Sequence, residues 1–299
     1  MKKIVPITLI FFCTSIWAQI KPIATIPFTL ERNSIYFYCK VNGSDSLKFL
    51  FDTGADGSVI NEQAKQKIPL KINNQSLNVG SNGANLVSQT LDNTIAFGNI
   101  TKSNIDFTII PYGTSSFDGV FGTNLMTDHV IEIDYSKNEL RFYEIATYNK
   151  DLSDYDAFKI YLPGNYVSIK GSIRIKGKRY SGLFGLDTGA DNVLTLSYPF
   201  VIGNKLINKT IKIGASLSQG SDGSEYENPL VLLPEVGIGA KSFYRIPADL
   251  SMSKEGVDAS TDKIGFFGNN FLKRFNVVLN LKRGFIYLTP NHNLYTDFF

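Results

Sequence analysis

The sequence predicts an all-β protein made of two similar lobes, and three observations carry that expectation. The run "FDTGADGSVI" at 51 to 60 returns as "LDTGADNVLT" at 186 to 195, although chance would place a given four-residue word such as DTGA in about one chain in two hundred of this length. The likeness extends well beyond these words, at matching order and spacing, so it describes a repeated unit rather than a repeated motif. Each unit reads as short apolar or alternating stretches punctuated by Gly and polar turns, which is the pattern of strands. A length of 299 residues with 43% hydrophobic and 19% charged residues is enough to bury two cores without crosslinks.

The elements follow in order. The start "MKKIVPITLIFFCTSIWAQ" has Lys2 and Lys3, an apolar run from Ile4 to Phe12, and Ala18 before Gln19. It is expected to be a secretory signal peptide over residues 1–18, because the apolar run is short of the roughly 20 residues a membrane span needs. Phe12 rather than a small residue precedes Cys13, which argues against a lipid anchor. Export to the periplasm or the extracellular space is expected, with no membrane anchor after cleavage. Loss of Lys2 and Lys3 takes the formal charge from +3 to +1, so no general attraction to nucleic acid or membrane is expected. Cys39, within "IYFYCKV", is then left alone and reads as a packing residue. His129 and His292 lack neighbouring His or Cys, and no G-x-S-x-G elbow occurs; neither a metal site, a cofactor nor a Ser-His-Asp arrangement is expected.

The first lobe is expected over 19–148 and the second over 149–299, joined near the polar segment 147–159. In the first, "CKVNGSDSLKFLFDTG" is strand, turn at Gly43, strand, and Asp52; in the second, "IRIKGKRYSGLFGLDTG" repeats this with Gly177 and Asp187. "NEQAKQK" after Asn61 has the composition of one short capped helix. "IAFGNITKSNIDF" matches "EVGIGAKSFYRIP", and "GVFGTNLMTDHVIEIDYSKNELRFY" matches "GFFGNNFLKRFNVVLNLKRGFIYL". Gly122 lies 70 residues after Asp52, and Gly268 lies 81 after Asp187, so the second unit carries about a loop's worth extra.

With these elements in place, the chain resembles an aspartic protease of the retroviral and pepsin type, as a retroviral-type unit duplicated in one chain. The likeness covers nearly everything after the signal peptide and includes the two apolar-apolar-Gly elements ending at Gly122 and Gly268. It implies two β-barrel lobes related by a pseudo-two-fold axis, the acid-protease fold, with the active-site cleft between them. It also implies a monomer, since both aspartates sit in one chain, acting on a peptide or protein substrate. Asp52 and Asp187 are the expected catalytic pair: two carboxylates this close cannot both ionise, so they share a proton, and one activates a water while the other donates to the scissile carbonyl. Thr53, Gly54, Ala55, Thr188, Gly189 and Ala190 are expected to support the turns. The two threonines would bond across the lobes, or simply satisfy their own turns.

Four points stay open at this level. Ala55 and Ala190 stand where many pepsins have a hydroxyl, which implies a pair titrating at less acidic pH. Asp56 and Asp191 are candidates for substrate contact or for plain turn capping; Thr123 and Asn269 occupy the positions where the retroviral enzymes carry an arginine that pairs with this Asp. The segments 79–89 and 215–227 are candidate flaps, or ordinary hairpins. A silent pepsin-fold binding module is the alternative function, although such relatives usually lose an Asp or its Gly.

Overall fold

Tight two-residue turns need residues with positive φ, and the sequence places them where the repeat changes direction. Asn42 and Gly43 (φ 50° and 73°) turn the first hairpin, and Lys176 and Gly177 (φ 48° and 78°) turn its counterpart. The computed structural model describes residues 20–113 and 116–298. The signal peptide expected over 1–18, with Cys13, lies outside the described residues.

The chain is all-β, with two similar barrel lobes. In the first, the strands follow the order Thr29–Glu31, Ser34–Val41, Leu47–Phe51, Gly119–Phe121, Ser58–Asn61, Ile100–Ile110, Ala84–Phe97 and Ile72–Val79; Ser34–Val41 also pairs with Ala84–Phe97 and closes the sheet on itself. In the second, the order is Ser168–Ile175, Lys178–Asp187, Gly265–Gly268, Leu194–Leu196, Lys241–Leu250, Glu225–Ile238 and Ile211–Gln219, closed by pairing of Ser168–Ile175 with Glu225–Ile238. Apart from the additional Thr29–Glu31, the two orders are the same.

A third sheet of six strands joins the lobes, three from each half: Ala24–Pro27, Glu139–Glu144, His129–Asp134, then Phe275–Asn280, Phe285–Pro290 and Asp156–Lys159. Its centre reveals the symmetry. The step that carries Gly122 to Gly268 also carries Ile131 to Val277 and Ile133 to Leu279, and the register pairs Ile131 with Leu279 and Ile133 with Val277 around Glu132 opposite Val278. An axis through that pair exchanges the halves. The junction between halves is the stretch 145–155; the last four residues of the expected linker, Asp156–Lys159, form a strand.

Aromatic side chains fill the first barrel. Phe121 is fully buried and contacts Phe37, Phe51 and Phe97 at centroid distances of 5.3, 5.8 and 5.1 Å; Cys39 is buried in the same core as a free thiol. Phe267, the counterpart of Phe121, stacks on Phe184 at 5.1 Å and on Phe271 at 4.6 Å. Burial of each such ring contributes on the order of 2 kcal/mol, and both rings precede the glycines beneath the acidic turns. Residues 62–67 form a 3-10 helix, with the Asn61 side chain accepting from the Gln63 N–H at 3.3 Å.

The extra length of the second lobe is divided between two places. One is the helix Tyr198–Gly203 and the turn after it. The other is the link 251–264, fourteen residues where the first lobe has eight, 111–118.

Candidate active site

Both acidic turns are delivered in the same way. Leu47–Phe51 runs parallel to Gly119–Phe121, and the tail of Lys178–Asp187 runs parallel to Gly265–Gly268. These central strands are buried on both faces, so their sequences are apolar rather than alternating. The chain then turns sharply at each Asp. The Asp52 N–H donates to Phe121 O at 3.1 Å; the Asp52 carboxylate accepts from Gly54 N–H at 2.7 Å, and that of Asp187 from Gly189 and Ala190 N–H, both at 2.9 Å.

The two turns meet at the pseudo-two-fold axis. A Cβ on Gly54 would lie 2.6 Å from Cγ of Asp187, and one on Gly189 would lie 2.5 Å from Cγ of Asp52. Each glycine is therefore the space into which the opposite lobe's carboxylate fits, and the two carboxyls come within hydrogen-bond reach of each other. Thr53 and Thr188 hold this arrangement. Thr53 Oγ1 donates to Leu186 O at 2.7 Å and accepts from Thr188 N–H at 3.1 Å; Thr188 Oγ1 donates to Phe51 O at 2.8 Å and accepts from Thr53 N–H at 3.0 Å. Both side chains are buried, and all four bonds cross between lobes.

Gly122 and Gly268 lie under the turns. A Cβ on Gly122 would fall 2.1 Å from Gly57 O, and one on Gly268 would fall 2.4 Å from Asn192 O, closer than a side chain tolerates. The next residues tie the same turns down: Thr123 N–H donates to Ala55 O at 2.8 Å, and Asn269 N–H to Ala190 O at 2.7 Å. Asp56 and Asp191 are exposed on the outer shoulders of the turns. Asp56 accepts from Asn165 Nδ2 at 3.3 Å, and the backbone carbonyl of Asp191 accepts from Asn33 Nδ2 at 3.0 Å.

Burial first, and then the charge of Asp187 beside it, push the Asp52 carboxyl well above the usual carboxylate range, against the pull of the Gly54 and Ala55 N–H groups. This is the behaviour expected where two carboxyls share a proton. Beside Asp52, the half-buried rings of Tyr36, Tyr112 and Phe117 pack with Ala55 around Val87, Ile110 and Val120. Burial, with Asp52 nearby, raises the Tyr112 phenol above its ordinary value.

Both flap candidates are hairpin tips, and they meet each other. Asn78 Nδ2 donates to Ser221 Oγ at 3.1 Å, and Asn82 Nδ2 to Ser218 O and Ser224 O, both at 3.4 Å. A Cβ on Gly80 or Gly83 would lie 2.5 Å from the side chain of Ser221 or Asp222. The first tip is also bonded to the long link of the second lobe: Val257 N–H donates to Gly80 O and Asp258 N–H to Ser81 O, both at 2.9 Å.

One contact departs from the expectation built on Ala55 and Ala190. No hydroxyl comes from those positions, yet Asp187 has one: Tyr166 Oη donates to its Oδ2 at 2.5 Å. Tyr166 is buried just before Ser168–Ile175. Sequence reasoning missed it because its counterpart in the first lobe is Ser34, a short side chain: Tyr36 stands opposite Leu50 as Ser168 stands opposite Gly185, which puts Ser34 at the position of Tyr166. A signal was present in Gly185, which interrupts a strand where the first lobe has Leu50; a Cβ there would lie 2.4 Å from the Tyr166 ring.

Residues 37–125 match the family model described as aspartyl protease. The match spans the first acidic turn and Gly122, and supports a protease-like function for a chain with this fold. No curated protein matches the chain.

Proposed function

We propose that this protein is an exported aspartic endopeptidase, a retropepsin-like unit duplicated in one chain, which hydrolyses peptide bonds with a water activated between Asp52 and Asp187. The mutual approach of the two turns carries this reading, each glycine facing the other lobe's carboxyl. With one proton between them, the ionised carboxylate takes a proton from the water as it attacks the scissile carbonyl carbon. The protonated carboxyl donates to the carbonyl oxygen as it becomes tetrahedral. Collapse of that intermediate passes a proton to the leaving amine and restores the starting state; the protein forms no covalent bond with substrate.

The flap tips supply the second part of the proposal. An extended peptide would lie under both, held by backbone hydrogen bonds in the manner of an added strand, with an apolar side chain packed on Tyr36, Tyr112 and Phe117. The joined tips imply that they part to admit substrate. Asp56 and Asp191, at the shoulders of the turns, would contact the peptide backbone to either side. One chain supplies both aspartates, so a monomer suffices.

The test is digestion of a degenerate peptide library across acidic and neutral pH, read by mass spectrometry, with wild type, Asp52→Asn and Asp187→Asn. Cleavage by wild type and its loss in both variants is the expected result. Wild type that leaves every peptide intact while binding some of them would favour a silent binding module instead.

A further inference from the structure

The dyad is not symmetric in its surroundings. Asp52 takes hydrogen bonds from the backbone N–H groups of Gly54 and Ala55, whereas Asp187 has backbone donors on Oδ1 and the Tyr166 hydroxyl on Oδ2. Tyr166 is held for this contact. Its ring fills the space that Gly185 leaves, lies 6.3 Å from the ring of Phe266, and carries the Lys263 ammonium over its face at 4.7 Å. Its backbone N–H donates to Pro163 O at 3.0 Å, and its carbonyl accepts from Ser168 Oγ at 3.0 Å. Among the described residues, the charged groups that face it are Asp187 and Asp52 from the two turns, Asp258 from the long link, and Lys263.

We propose that Tyr166 is a positioning residue that fixes which aspartate is ionised: its hydroxyl holds Asp187 as the carboxylate and leaves the shared proton on Asp52. Asp187 is then the general base and Asp52 the acid in the resting enzyme. A phenol bonded to a carboxylate favours the charged form of its acceptor, and the cation over the ring draws electron density away from the hydroxyl and makes it a better donor. The phenol itself stays protonated, since burial and then the neighbouring Asp187 push it well above its ordinary value. Tyr166 thereby supplies to the second aspartate the hydroxyl that Ala190 cannot, and Asp52 has no such partner in Ala55.

This inference rests on the protease reading for its role in catalysis but is tested apart from it. The protein is labelled with carbon-13 at the Asp carboxyls, and the signals of the pair are assigned by their loss in Asp52→Asn and Asp187→Asn. Their titration is then followed in wild type and in Tyr166→Phe, which keeps the ring. Loss of this hydrogen bond to the charged form should raise the first titration midpoint of the pair by about one to two pH units. The acidic limb of kcat/KM should move with it, and the basic limb much less. Replacement of Tyr166 by 3,5-difluorotyrosine, a more acidic phenol and a stronger donor, should move the midpoint the opposite way. If Tyr166→Phe folds poorly, that replacement alone decides the matter. An unmoved midpoint in either variant overturns the assignment. Wild type without peptidase activity would overturn the protease reading, while the titration still decides the role of Tyr166.

Discussion

Thr188→Val removes one oxygen atom and little volume, which isolates the bonds that join the two acidic turns. The hydroxyl serves two backbone groups of the first lobe: it donates to Phe51 O at 2.8 Å and accepts from Thr53 N–H at 3.0 Å. Thr188 is only 3% exposed, so water does not replace it, and the methyl that takes its place can pair with neither group. A buried backbone group left unpaired costs about 1–3 kcal/mol. The two together should cost about 4 kcal/mol, or on the order of 10 °C in Tm for a chain of this size. Thr188→Ser keeps the hydroxyl and loses one methyl group, at a cost of about 1 kcal/mol. Urea unfolding followed by circular dichroism measures both; the chain's one Trp, Trp17, lies in the expected signal peptide. A loss below about 1 kcal/mol for the valine variant, or a serine variant as damaged as the valine one, would refute the assignment of the turn-to-turn junction to these bonds.

Three further outcomes are expected. Gly189→Ala would put a methyl 2.5 Å from Cγ of Asp52, so kcat/KM should fall by about a hundredfold or more from displacement of the carboxylate, with Gly54→Ala showing the same loss; activity near wild type would mean that the turns do not meet as described. Burial pushes the Asp258 carboxyl up to about 7 from the ordinary 3.8. The folded state therefore keeps a proton that the unfolded chain has lost between about pH 4 and 7, and stability contributed below that window declines as pH rises, by at most about 1.4 kcal/mol per unit. Asp258→Asn should flatten that decline in urea midpoints measured against pH, and parallel curves for the two proteins would contradict it. Finally, the exported protein should begin at Gln19 when its N-terminus is sequenced; an intact Met1 in the exported fraction would rule out the signal peptide.

Much of the architecture was legible because it was written twice. Gly43 and Gly177, Gly98 and Gly239, and the pair Asp134 and Asn280 mark the same turns in each half. The structure gives them matching work: Gly98 and Gly239 both have positive φ (54° and 59°), while Asp134 and Asn280 each accept from the backbone N–H three residues on, at 3.1 and 3.0 Å. The strand before Asp52 was legible from the alternation of Leu47, Phe49 and Phe51, although that pattern implied a half-buried strand and Leu50 is buried as well. The acidic turns were legible from the residues that only a close approach of backbone and carboxylate requires. What broke the symmetry was harder to read. Tyr166 has no counterpart in Ser34, so comparison of the halves passes over it, and only the odd Gly185 hints at the ring it accommodates. The link 251–264 was visible only as surplus length; its bonds to Gly80 and Ser81 arise from the closure of one lobe over the other, which no local pattern encodes. The meeting of the two hairpin tips is of the same kind, since Asn78 and Ser221 are 143 residues apart.

The joint action of Asp52 and Asp187 is tested most directly by a double-mutant cycle on kcat/KM with a cleaved peptide. Groups that act as one unit are strongly non-additive. Asp52→Asn and Asp187→Asn should each lower kcat/KM by on the order of ten-thousandfold, and the double variant should be no worse than either. A single variant that keeps substantial activity, or losses that multiply in the double variant, would show that the two carboxyls do not work as a pair.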